Sequence, residues 1–213
     1  MPLAALILAC DDDDSSRGLP CVFKVAGQTL FAHQVRMAKA AGAGHIVALV
    51  RQMPTALVLA LDALREEGIS VDIARDAADA ASRIHPQEQL LVMSEGLFAD
   101  SETVKRVASS TDPALLCRAG GDGGPGFERI DAEYEWAGLA RLEGALLRET
   151  ASMAGDWVLG PTLLRLALQA GTQKMLLGDQ DRLCFPQSQS EAELAVRALA
   201  VKPSSPSGSL SKR

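Results

Sequence analysis

The chain has 213 residues, 47% of them hydrophobic but only 4% aromatic, and a net charge of −6. A chain of that length can bury one sizeable core, built here from Ala, Leu and Val rather than from rings. The acidic balance, with no block of Lys or Arg, excludes a general nucleic-acid surface, which needs a basic patch.

Residues 3–9 form a short apolar run without polar alternation, the pattern of a strand covered on both faces in a parallel sheet. The run is too short for a membrane span, lacks a basic start and meets aspartates at once, so it is not a signal peptide either. It leads into a polar loop containing Asp11, Asp12, Asp13 and Asp14. In open α/β sheets the ligand crevice lies beyond the carboxyl ends of the strands, so this loop is the first place to look for a site. Cys10, Cys21, Cys117 and Cys184 are scattered, with no CxxC pair. They read as small buried hydrophobes of a reducing cytoplasm.

In chain order, the periodicity predicts a helix over 28–42, with Phe31, Val35 and Ala38 inward and Gly42 closing it. A strand over 45–50 and a helix over 54–67 follow, then a strand over 69–74 and an Ala-rich helix over 76–84. Residues 89–93 read as the next strand, 101–109 as a helix capped by Asp100, and 113–117 as a further strand. The Gly-rich stretch 119–126 is a loop, 134–142 a strand, and 142–153 and 161–170 are helices. Two closing strands over 174–178 and 182–185 precede an Ala-rich terminal helix over 191–200, expected to pack on the sheet. The strand–helix alternation implies a parallel sheet with right-handed crossovers. One domain over 1–201 is expected, with the Pro/Ser/Gly-rich residues 202–213 as a disordered tail.

Leu8, Ala9, Cys10 and Arg17, followed by Pro20-Cys21-Val22-Phe23-Lys24-Val25-Ala26-Gly27-Gln28-Thr29-Leu30 and continuing to Gly42, carry a resemblance. They resemble the opening of nucleotidyltransferases with a GT-A-like (Rossmann-like) fold, whose first strand runs into LAAGxGxR and then KPLLPVxGxPLLxHxLxxLxxAG. The sugar-phosphate and alditol-phosphate cytidylyltransferases and the molybdenum-cofactor guanylyltransferase group are the members in question. A second phrase, Leu90-Leu91-Val92-Met93-Ser94-Glu95-Gly96-Leu97-Phe98, is similar to the family's LLVxxGDxLF, with Glu95 at the metal-binding aspartate.

The resemblance implies a three-layer α/β/α fold around a mostly parallel sheet. It implies transfer from a nucleoside triphosphate, CTP by similarity to the alditol-phosphate members, to a phosphorylated sugar or polyol, with Mg²⁺ and loss of pyrophosphate. Cys10, Asp11, Ser15 and Ser16 fall in the nucleotide loop. Arg17 meets the family arginine if the loop has grown by about two residues. Lys24, at the place of a family proline, substitutes for the family lysine if the loop is rearranged, and both then orient phosphates. Asp11, Asp12, Glu95 and, from the later half of the chain, Asp131 are the candidate metal ligands. No nucleic acid or membrane-spanning segment is implied, and a homo-oligomer is compatible with the fold.

The phosphate loop departs from the family pattern. Glycines there let backbone N–H groups face anionic oxygens, whereas four consecutive aspartates repel a triphosphate by about 1 kcal/mol per charge pair at 4 Å even in water. A divalent cation reverses that sign, because hard cations take carboxylate oxygens. The alternative is a degenerate relative that binds a nucleotide or a protein without transfer.

Overall fold

The computed structural model describes residues 1–9, 19–120, 124–154 and 159–200. Strand β1 (Leu3–Leu8) is buried almost throughout. Its alternate side chains serve two cores. Ala5 and Ile7 face one, while Ala4, Leu6 and Leu8 face the other.

β1 pairs in parallel with β4 (His45–Leu49) on one side and with β6 (Gln89–Met93) on the other. β5 (Asp72–Ala74) continues the sheet beyond β4. On the other flank β10 (Tyr134–Glu143) runs antiparallel between β6 and β8 (Ala114–Ala119), and β11 (Gln173–Leu176) closes that edge parallel to β8. The path is β11-β8-β10-β6-β1-β4-β5, with β9 (Glu128–Arg129) hung on β10. This is the expected mostly parallel sheet, with one antiparallel strand on its main path.

Helices α1 (Leu30–Ala40), α2 (Thr55–Glu66) and α4 (Ser101–Ala108) cover one face through Phe31, Val35, Leu57, Leu64, Val104 and Val107. Helices α3 (Ala77–Arg83), α5 (Gly144–Ala154) and α6 (Leu159–Gln169) cover the other, with Ala80, Leu147 and Leu163 inward. The chain moves outward from β1 through β4 to β5 under α1 and α2, then returns across β1 to β6 by way of α3. Changing face on reversing direction keeps the hand of the crossovers constant. The reversal makes the β1–β6 boundary the switch point of the sheet, where ligand crevices form.

Three features differ from the sequence expectation. The helix expected over 28–42 begins at Leu30, because Lys24–Val25 (β2) and Gln28–Thr29 (β3) form a hairpin. The hairpin turns at Ala26 and Gly27, both at positive φ, and Thr29 then caps α1 by accepting from the Ala32 N–H. The strand over 182–185 is shorter and does not join the central sheet; β12 (Leu183–Cys184) pairs antiparallel with β7 (Phe98–Ala99). Terminal helix α7 (Gln189–Ala200) packs Ala192 against Val25, Leu30 and Phe98, not on the main sheet.

Cys21 is disulfide-bonded, which corrects the reading of four free thiols. Spacing along the chain carries no information about which sulfurs meet in space. Cys117 and Cys184 are free, and burial pushes the Cys117 thiol up to about 11, as befits an inert core residue.

Candidate functional site

The switch point is built from the ends of β1 and β6. Ala9 continues the β1–β4 ladder, donating its N–H to the Leu49 carbonyl at 2.9 Å. After β6, Ser94-Glu95-Gly96-Leu97 makes a tight turn in which the Leu97 N–H points to the Ser94 carbonyl at 3.4 Å. Gly96 takes a φ of +70°, the conformation a type II turn demands at its third residue. The turn is fastened on two sides. The Ser94 N–H donates to the Gly138 carbonyl of β10 at 2.9 Å, and Gln34 of α1 donates from Nε2 to the Ser94 and Leu97 carbonyls at 2.9 and 3.0 Å.

Glu95 therefore sits half-buried on a rigid turn at the carboxyl end of β6. The chain that follows the acidic loop comes back to the same place. Pro20, which opens a 3₁₀ turn over Pro20–Val22, lies so close that a Cβ on Gly96 would be 3.1 Å from the Pro20 Cβ. Ala9 at the end of β1 and Pro20 beside the Glu95 turn thus flank the acidic segment. Cys10, Asp11, Asp12, Ser15, Ser16 and Arg17 themselves lie outside the described residues.

The other two candidates are placed apart from this turn. Lys24 stands on β2 with its side chain exposed. Its backbone is docked on α7, the N–H donating to Gln189 Oε1 at 2.7 Å and the carbonyl accepting from Gln189 Nε2 at 3.1 Å. Asp131 lies in the β9–β10 turn with both oxygens engaged. Oδ1 accepts the Glu133 and Tyr134 N–H groups, each at 2.8 Å, and Oδ2 pairs with Lys174 at 2.5 Å. Those contacts, Lys174 first, hold its carboxyl below the ordinary aspartate range. Among the described residues no three His, Cys, Asp or Glu side chains gather as a metal site.

Two features of the site were not legible as such. Gln34, only 1% exposed, sits on the buried side of α1 beside Phe31, Val35 and Ala38. An amide among apolar residues at helical spacing was the available signal. On the β10 side, Gly138 at φ +82° lets Phe185 and Ser94 close over the strand; a Cβ there would be 2.6 Å from Phe185 Cζ. The Ser94 hydroxyl is buried and has no hydrogen-bond partner among the described residues.

The sequence matches no protein-family model and resembles no curated protein. Its fold does have solved relatives. A crystal structure from Bacillus anthracis named as a glucose-1-phosphate thymidylyltransferase, determined with sucrose bound, overlays with a TM-score of 0.66 over 92% of this chain and 94% of that one, at 11% identity. The fold is GT-A-like. The mostly parallel sheet with helices on both faces is the architecture that the resemblance implied.

Hollows occur away from this end. Two of about 480 and 510 Å³ share Asp181, Arg182 and Leu199 beside α7. A third, of about 280 Å³, opens at the opposite edge of the sheet by Asp112 and Glu143. Among the described residues no helix is long and apolar enough to cross a membrane.

Proposed function

We propose that the chain is a nucleotidyltransferase that joins a nucleoside triphosphate, CTP by resemblance, to a phosphorylated sugar or polyol. What most supports this reading is the position of Glu95. It is a carboxylate on a fastened turn at the end of β6, beside the point where an acid-rich loop re-enters the fold. In the reaction an oxygen of the acceptor phosphate forms a bond to the α-phosphorus. The bond from that phosphorus to the bridging oxygen breaks, and pyrophosphate leaves.

Glu95, with Asp11 and Asp12 from the loop, offers hard oxygen donors of the kind Mg²⁺ takes, and the Ser94 hydroxyl, unpartnered among the described residues, adds a polar atom at the same turn. When bound, the ion would neutralise charge on the triphosphate. Cys10, Ser15 and Ser16 would line the nucleotide, and Arg17 and the exposed Lys24 would orient its phosphates. Asp131 is given no part, because Lys174 and two backbone amides already occupy its carboxylate. A triphosphate substrate is the ground for reading the chain as cytoplasmic. The free thiols of Cys117 and Cys184 suit that setting, while the bond at Cys21 does not.

A second reading is favoured by the aspartates at 11–14 in place of loop glycines. In that case the chain binds a nucleotide or a protein and transfers nothing. Calorimetric titration with CTP, GTP, ATP and UTP, with and without Mg²⁺, separates a binder from a non-binder. Pyrophosphate release with a panel of sugar and polyol phosphates separates the enzyme from its degenerate counterpart. The Asp11→Asn, Asp12→Asn double variant should lose Mg²⁺-dependent nucleotide binding at an unchanged melting temperature. Unaltered binding removes the loop from the mechanism.

A further inference from the structure

Two strands across from β6, at the same edge of the sheet, Arg118 is held in a fixed pose by described residues that leave its two terminal nitrogens unused. β8 runs in the same sense as β6, so Arg118, one residue from its end, stands at the carboxyl edge, roughly 10 Å from β6 across the sheet. Its Nε donates to Glu135 Oε2 at 2.6 Å, and that carboxylate side chain is only 3% exposed. Its guanidinium carbon lies 3.6 Å from the centre of the Phe127 ring, and Phe127 is braced edge-on by Phe185 at 5.1 Å. Gly124 closes in on the third side, where a Cβ would come within 3.1 Å of Nη2. With all this support, 31% of the side chain remains open to solvent, and among the described residues neither Nη group carries a hydrogen bond.

Stapling β8 to β10 requires only the Nε contact. It does not require a planar fork laid on a ring and aimed outward. A guanidinium oriented in this way, with a pair of N–H₂ groups presented together, matches the oxygens of a phosphate or carboxylate. Immobilising the side chain before a ligand arrives removes an ordering cost that binding would otherwise carry.

We infer that Arg118 is the binding residue for the phosphate of the acceptor, with Glu135 and Phe127 as its positioning residues. The acceptor role rests on the nucleotidyltransferase reading; phosphate capture by the fork does not. The acceptor would then lie above β10, between the fork and the Glu95 turn, over the Phe185 ring that covers Gly138.

The test is titration of the full chain, without nucleotide, with glucose 1-phosphate, glycerol 3-phosphate and inositol 1-phosphate, followed by calorimetry or by NMR. The wild type should bind at least one of the three. Arg118→Lys keeps the charge and the link to Glu135 but loses the fork, and should weaken that binding about ten- to a hundredfold at an unchanged melting temperature. Glu135→Gln should weaken it less and leave nucleotide binding as it was. Failure of the wild type to bind any of the three, or equal binding by Arg118→Lys, overturns the inference. If the phosphate esters bind through Arg118 while no triphosphate binds, the nucleotidyltransferase reading fails and the anion fork stands. Should turnover be found with an unchanged acceptor KM in Arg118→Lys, the fork fails and the reaction stands.

Discussion

Two neighbouring side chains of α1 hold the segment that follows β6. Gln34 takes the Ser94 and Leu97 carbonyls, and His33 donates from Nε2 to the Ala99 carbonyl at 2.8 Å while its ring lies 4.7 Å from Phe98. Replacing Gln34 by Leu keeps the bulk but takes the Gln34 amide from the Leu97 carbonyl and leaves the Ser94 carbonyl only the long contact from the Leu97 N–H, which should cost about 2 kcal/mol in urea unfolding. It should also weaken Mg²⁺-dependent nucleotide binding, because the Glu95 turn loses its tether. His33 carries a pH signature. Burial, reinforced by Arg36 and opposed by the Ala99 contact, lowers its pKa below 6.5. Below 6.5 the unfolded chain takes up a proton that the folded one resists, so stability is level above 6.5 and falls as pH drops from there toward the lowered value. Unfolding compared at about pH 7.5 and pH 5.5 should show a smaller loss in His33→Gln, which keeps a donor for Ala99 and cannot titrate. Gly138 is a third test at this scale. Ala there would combine a strained φ of +82° with a Cβ driven against Phe185 and Ser94, for a loss of about 2–3 kcal/mol.

At the scale of elements, local chemistry decided what could be read in advance. Strand Gln89–Met93 falls where the apolar run with Gly behind it said it would, and Asp76 and Asp100 cap α3 and α4 through the Asp79 and Thr103 amides. The β2–β3 hairpin escaped notice because its turn carries Ala26, a residue that seldom takes positive φ, where Asn or Asp would have announced it. The start of α1 was consequently set two residues early, although Thr29 was present as a cap. Thr29→Ala should cost about 1 kcal/mol in denaturant unfolding, and a loss near zero would show that the hairpin alone fixes that end. Glu95 was legible because it follows a strand directly. Gln34 and Phe185 act on Ser94 and Gly138 across long sequence separations, and no local pattern reports such contacts. Arg118 and Glu135 belong to the same class: the strand pattern shows both, but only the β8–β10 register shows that they meet.

At the scale of the whole molecule, the reversal of direction at β1 concentrates the proposed chemistry at one end of the sheet, so occupancy of that end should be felt throughout the fold. β1 pairs with both β4 and β6, and the turn after β6 is tied to α1 and to β10, so a ligand there braces strands on both flanks. A ligand present at about a hundred times its Kd and bound only by the folded chain adds about 2.7 kcal/mol. For a chain of this size that is a rise in Tm of about 5–10 °C. Thermal melts with each of the four triphosphates plus Mg²⁺ should therefore single out one base by a shift of that size. Glu95→Gln should shrink the shift while leaving the melt without ligand in place, because a half-exposed carboxylate on a turn contributes little to the core. A full shift in Glu95→Gln would move the cation away from β6 and leave the acidic loop to hold it alone. No shift with any triphosphate would favour the reading in which this scaffold no longer grips a nucleotide.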